Sequence, residues 1–129
     1  MTYTIDRTFE AKDFADVVGR ARAALAAHGF GVLTEIDVKA TMKKKLDADI
    51  ENYLILGACN PKMAHEAMKL EPKVGAMLPC NVIIRVIGAD RVEVSAIDPV
   101  ASMEAIPNER LKTLASQVRA LLQDVVAAI

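Results

Sequence analysis

From Thr2 to Phe9 the side chains alternate, with Tyr3, Ile5, Arg7 and Phe9 on one side and Thr2, Thr4, Asp6 and Thr8 on the other. Period two in a segment rich in Thr, Tyr, Ile and Phe marks a half-buried strand. Near Ala11 the period becomes that of a helix. Phe14, Val17, Val18, Ala21, Leu25 and His28 then share one face across residues 11–28, and Gly29 stands where a C-cap glycine belongs. This change of period constrains the fold most strongly, because a pleated apolar face and a helical apolar stripe must be buried, and each can cover the other.

The switching continues along the chain. Residues 30–37 read as a second strand. In the next segment two periods compete: Val38, Ala40 and Met42 alternate, whereas Val38, Met42 and Leu46 stand four apart. Lys43, Lys44 and Lys45 have poor strand propensity and Asp37 is a good N-cap, so the expectation is a helix over 38–46. Residues 52–58 are nearly all apolar, as in an interior strand covered on both faces. Asn60 followed by Pro61 is a helix start, and Met63, Ala64, Ala67 and Met68 form the apolar side of a helix over 61–70. Pro72 and Gly75 bound a loop. Cys80, Val82, Ile84 and Val86 alternate with Asn81, Ile83, Arg85 and Ile87, the Gly88-Ala89-Asp90 segment suits a hairpin turn, and Arg91–Ile97 returns as the partner strand. Asp98-Pro99 stops that strand. From Pro107 the pattern is helical to the end, through Leu111, Leu114, Val118, Leu121, Leu122, Val125 and Ile129. The order β-α-β-α-β-α-β-β-α predicts an α+β two-layer sandwich, a mixed or antiparallel sheet with helices on one face, as one domain over residues 1–129.

Composition narrows the partners. The chain is 53% hydrophobic but only 4% aromatic, so its core must be built from Val, Ile, Leu, Ala and Met. A net charge of −1 lacks the basic footprint of a nucleic-acid binder. No apolar run approaches the roughly 20 residues of a membrane span, and the opening Met1-Thr-Tyr-Thr-Ile5 is too polar for a signal peptide. The expected compartment is the cytoplasm, where the two cysteines are thiols rather than a bridge. There is no Gly-rich phosphate loop, His-Glu-x-x-His, Gly-x-Ser-x-Gly or Cys-x-x-Cys, and no cofactor is expected.

Chemistry concentrates at two element boundaries. Cys59 ends a strand immediately before a helix N-terminus, whose unpaired N–H groups and partial positive charge favour a thiolate. The plainer reading is a small buried hydrophobe at a tight turn. Cys80 opens a strand, and the chain contains Cys-Asn-Pro at 59–61 and Pro-Cys-Asn at 79–81. The cysteines approach one another only if strands 52–58 and 80–87 are neighbours. His65, with Met63, Met68 and Met77 nearby, would extend the cysteines to a set suited to Zn²⁺ or Cu(I), against the plainer reading of the methionines as core. Glu35 and Asp37 are a candidate carboxylate pair, with solvation and capping as the simpler roles. Lys45, in an otherwise exposed lysine run, would bind an anion only if it turned inward. Asp98 would face the cysteines only if the strands run suitably, and otherwise makes an Asx-type turn.

The stretches Gly29-Phe-Gly-Val32, Ile36-Asp-Val-Lys-Ala-Thr-Met-Lys-Lys-Lys-Leu46, Leu56-Gly-Ala-Cys-Asn-Pro61, Leu78-Pro-Cys-Asn-Val82 and Ile97-Asp-Pro99 occur in order. Together they resemble the DUF302 family of small bacterial and archaeal proteins, over about residues 5–105. The resemblance implies an α+β fold and a homodimer. It supplies no reaction, so no catalytic residue carries over, but it favours one pocket shared by the two cysteines.

The leading expectation is a homodimeric accessory or sensor domain that takes a small-molecule ligand near Cys59, Asn60, Cys80, Asn81, Lys45 and Asp98. One alternative is a thiol-dependent redox protein or enzyme in which Cys59 attacks, Cys80 resolves, and Asp98 or His65 assists as base. Another is a soft-metal protein using Cys59, Cys80 and His65. The apolar C-terminal helix and strand 52–58 are a second motive for the homodimer. Neither nucleic acid nor membrane is expected as a partner.

Overall fold

Four short polar side chains set the helix starts. Asp37 accepts from the Ala40 N–H at 2.9 Å, Asn60 from Met63 at 3.1 Å, Asp98 from Val100 at 2.9 Å and Asn108 from Leu111 at 3.0 Å. Each ends an extended segment and satisfies an N–H that the first helical turn leaves free. The computed structural model describes residues 2–10 and 12–129. Ala11, the expected start of the first helix, and Met1 of the opening segment lie outside the described residues.

In chain order the elements are β1 (Thr4–Glu10), α1 (Phe14–Ala27), β2 (Gly31–Asp37), α2 (Val38–Leu46), β3 (Tyr53–Cys59), α3 (Pro61–Leu70), β4 (Cys80–Gly88), β5 (Arg91–Ile97), a short α4 (Pro99–Ser102) and α5 (Glu109–Ala128). The sheet order is β1-β5-β4-β3-β2, and every neighbouring pair is antiparallel. The first two strands therefore occupy opposite edges, and α1 crosses the sheet to connect them. This is an α+β two-layer fold.

Alternation divides the sheet as the sequence indicates. Phe9, Leu54, Leu56, Ala58, Val82, Ile84, Val92, Val94 and Ala96 are buried in one core with Val17, Ala21, Ala24 and Leu25 of α1 and Leu122, Val125 and Val126 of α5. On the opposite face Asn81, Arg85, Ser95 and Asp6 line a shallow concavity with Tyr3 and Tyr53 beside them. A second, smaller cluster holds Ala67 of α3, Val74, Met103, and Leu111 and Ala115 of α5.

Several expectations change in detail. Residues 72–77 form a 3-10 turn rather than an open loop, because Val74 is drawn into the second cluster. Asp98-Pro99 does more than stop a strand: Asp98 caps α4, which begins with Pro99. A residue is inserted in β2 at Leu33, where the β2–β3 register shifts. The bulge moves Glu35 to a position where it pairs with Arg22 of α1 at 2.7 Å, while Asp37 caps α2, so the two are not a carboxylate pair. β3 has one buried face, and Tyr53 and Ile55 on its other face are only half-buried. Met68 and Met77 are exposed rather than packed in the core.

Candidate functional site

The register of β3 against β4 sets the site. Leu56 pairs with Val82 and Ala58 with Cys80, so Cys59 and Cys80 stand at the same end of the sheet on adjacent strands. The chain turns into α3 directly after Cys59 and enters β4 through a cis Leu78–Pro79 peptide. Asn60 is fixed by its cap to Met63, and Gly29 lies against it. A Cβ at residue 29 would stand 3.3 Å from Asn60 Nδ2, and its backbone is in the left-handed region at φ +82°, so glycine is required twice over.

Between this sheet end, α3 and the first half of α5 lies a small, partly open cavity of about 40 Å³. Cys59, Asn60 and Cys80 line it, together with Met63, Ala64 and Ala67 of α3, Met103, and Leu111, Leu114, Ala115 and Val118 of α5. It sits on the seam between the two hydrophobic clusters. Four of its walls are alanines, Ala58, Ala64, Ala67 and Ala115, and short side chains on facing elements leave the space unfilled. Forty cubic ångströms holds about two or three waters and is far below the roughly 300–1,000 Å³ of a drug-sized site. The occupant must be small, and its surroundings are almost wholly apolar.

The two thiols differ. Both are free; Cys59 is half-buried and Cys80 buried. Desolvation, and secondarily the neighbouring Cys59, push the Cys80 thiol up to about 11. At neutral pH Cys80 therefore keeps its proton, and the thiol with access to solvent is Cys59.

The remaining sequence candidates lie elsewhere. Lys45 is exposed on α2. Asn81 points to the opposite face of the sheet, into the concavity beside Ile83 and Arg85. Asp98 is buried, but its carboxylate is taken: one oxygen caps α4 and the other accepts from Arg119 Nε at 2.9 Å. His65 is exposed on α3 and does not line the cavity. Among the described residues no three His, Cys, Asp or Glu side chains cluster as metal ligands, so Cys59, Cys80 and His65 are not brought together. Sequence reasoning missed Met103 and the alanine walls. Their contribution depends on α5 folding back over α3, and local periodicity carries no signal for that contact.

No described helix is long and apolar enough to cross a membrane. None of the curated proteins matches the chain. Among solved structures it is similar to the crystal structure of an uncharacterised conserved DUF302 protein from Bacillus stearothermophilus, with a TM-score of 0.91 at 20% identity, covering 99% of this chain and 98% of that one. At that identity the likeness speaks for the fold alone. The profile of the family described as "Domain of unknown function DUF302" matches residues 5–129, and the chain belongs to that family.

Proposed function

We propose that this chain is a ligand-binding accessory or sensor domain whose site is the cavity between Cys59 and Cys80. The observation that carries the reading is an apolar cavity with a half-buried thiol and a buried thiol in its wall, on the seam of two separately packed clusters. A well-packed interior leaves few voids larger than a water, so a void at a chemically distinctive place is a candidate binding site. Its size restricts the occupant to a very small ligand. The thiol-redox alternative has less support, because a buried Cys80 that holds its proton is a poor resolving nucleophile.

Xenon under pressure tests the cavity, since apolar voids of this kind take up the gas. Amide shifts in a two-dimensional NMR spectrum should concentrate on residues 58–67, 78–80 and 111–118. A spectrum unmoved there, or moved mainly on the concave sheet face, overturns the reading.

We place the protein in the cytoplasm on the strength of its two free thiols. A second copy of the chain is its proposed partner. The supporting surface is not the C-terminal helix or the Leu54, Leu56 and Ala58 face of β3, which pack inside the chain. It is the β2–α2 region, where Leu33 is 67%, Ile36 48%, Leu46 71% and Ile50 36% exposed and α2 buries no residue. So many large apolar side chains exposed within one short segment suit a contact surface. Light scattering at micromolar concentration should give twice the chain mass of 13.9 kDa, and a value near 13.9 kDa overturns the dimer.

A further inference from the structure

Four sulfur-bearing side chains line the cavity, and each comes from a different part of the fold. Cys59 ends β3, Met63 lies in the first turn of α3, Cys80 opens β4 and Met103 follows α4. Met103 is buried and Met63 half-buried, whereas Met68 and Met77 on the same side of the sequence are exposed. The thioethers at the cavity are thus selected from several nearby methionines. No carboxylate or imidazole lines this wall.

We infer that the cavity is a binding site for a soft monovalent cation, Cu(I), held by Cys59 and Cys80 with Met63 and Met103 as supporting thioethers. The inference rests on the proposed ligand-binding reading and names the ligand class. Ligand softness is its chemical basis: thiolate and thioether donors select Cu(I), whereas Zn²⁺ in structural sites almost always takes four nitrogen, oxygen or thiolate ligands. The charge balance also fits a monovalent ion. Two thiols release two protons to solvent as two Cu–S bonds form, and the bis-thiolate centre carries a net charge of −1, with copper remaining Cu(I) throughout. One negative charge in an apolar cavity requires compensation, and the N-terminus of the ten-residue α3, which begins directly after Cys59, supplies partial positive charge at that place. The half-buried Cys59 gives the ion a route in from solvent, whereas Cys80 is buried.

The test uses the reduced, metal-free full chain and Cu(I) itself, titrated without oxygen in competition with bathocuproine disulfonate. One equivalent per chain should be retained, with sulfur-to-copper absorption in the near ultraviolet and only sulfur neighbours in X-ray absorption. Cys59→Ser and Cys80→Ser should each weaken binding by about a hundredfold or more, and the double variant Met63→Leu with Met103→Leu by about tenfold. Met68→Leu should bind as the parent does. The methionine variants keep volume and polarity nearly constant, so they remain informative if Cys80→Ser fails to fold. The proposal is overturned if the chelator strips the copper from the parent chain, if nitrogen or oxygen neighbours appear, or if the two cysteine variants and the double methionine variant bind like the parent. Copper lost while xenon is still taken up removes only the metal assignment. Xenon failing as well removes the cavity reading beneath it.

Discussion

A single residue often carries a role that only its neighbours explain, and Gly57 is the clearest case. A Cβ there would meet Thr34 Oγ1 and stand 2.8 Å from Pro79 Cγ. Thr34 can rotate away, but the proline ring cannot. Gly57→Ala should therefore lower stability by about 1–3 kcal/mol in denaturant titration, the usual range for overpacking. Gly19, exposed in α1 with open space around it, is the counter-test: Gly19→Ala should raise stability by about 0.5–1 kcal/mol through helix propensity. Cys80 makes a prediction of a different kind. Folded Cys80 keeps its proton up to about pH 11, whereas in an unfolded chain a thiol ionises near pH 8.5–9. Between those values unfolding releases a proton, so the contribution is complete below about pH 8 and is lost as pH rises, by a total of about 2–3 kcal/mol. Denaturant titrations from pH 8 to 11 should show the stability gap between the parent and Cys80→Ala closing by that amount. A constant gap would show that Cys80 is not held protonated.

At the scale of elements, much was legible because capping is local chemistry. Asp37, Asn60 and Pro61 announce helices that begin where expected, and the lysine run after Val38 resolves the contest of periods in favour of a helix. The expectation of helix from Pro107 is met two residues later, at Glu109, with Asn108 as cap. What was not legible depended on contacts between distant segments. Asp98-Pro99 reads equally as a strand stop or a helix start, and the short α4 settles only against α5, where Arg119 meets Asp98. The proximity of the cysteines was legible as a condition, β3 beside β4, but Met103 in the same cavity was not. The dual role of Asp98 can be separated. Asp98→Asn keeps an oxygen for the cap and loses the ion pair with a partly exposed Arg119, so it should cost less than about 1 kcal/mol. Asp98→Ala loses the cap as well and should cost about 1–2 kcal/mol by thermal or chemical unfolding.

On the scale of the whole fold, β1 is fastened both to β5 and to the last turn of α5. β1 pairs with β5 from Thr4 opposite Ile97 to Glu10 opposite Arg91. Arg7 donates from Nη1 to the carbonyl oxygens of Val126 at 3.2 Å, Ala127 at 2.9 Å and Ile129 at 2.9 Å, and its guanidinium lies 4.7 Å from the centroid of the Phe9 ring. Helix C-terminal carbonyls have no partners within the helix, so a cation placed there binds and caps at once. Arg7→Met should cost about 1–2 kcal/mol and speed amide hydrogen exchange in β1 and the last turn of α5, with little change in β3 and β4. Equal acceleration everywhere would mean that β1 and the last turn of α5 open only with the whole fold. This fastening also has a consequence for biosynthesis. β2, β3 and β4 can pair in the order in which they leave the ribosome, but β1, made first, waits for β5 before it has a partner. Its helical clamp, the carbonyls of Val126, Ala127 and Ile129, follows later still. The first strand of the sheet is thus the last to be secured, and until β5 is made its alternating Ile5, Arg7 and Phe9 face remains open to chaperones and to neighbouring chains.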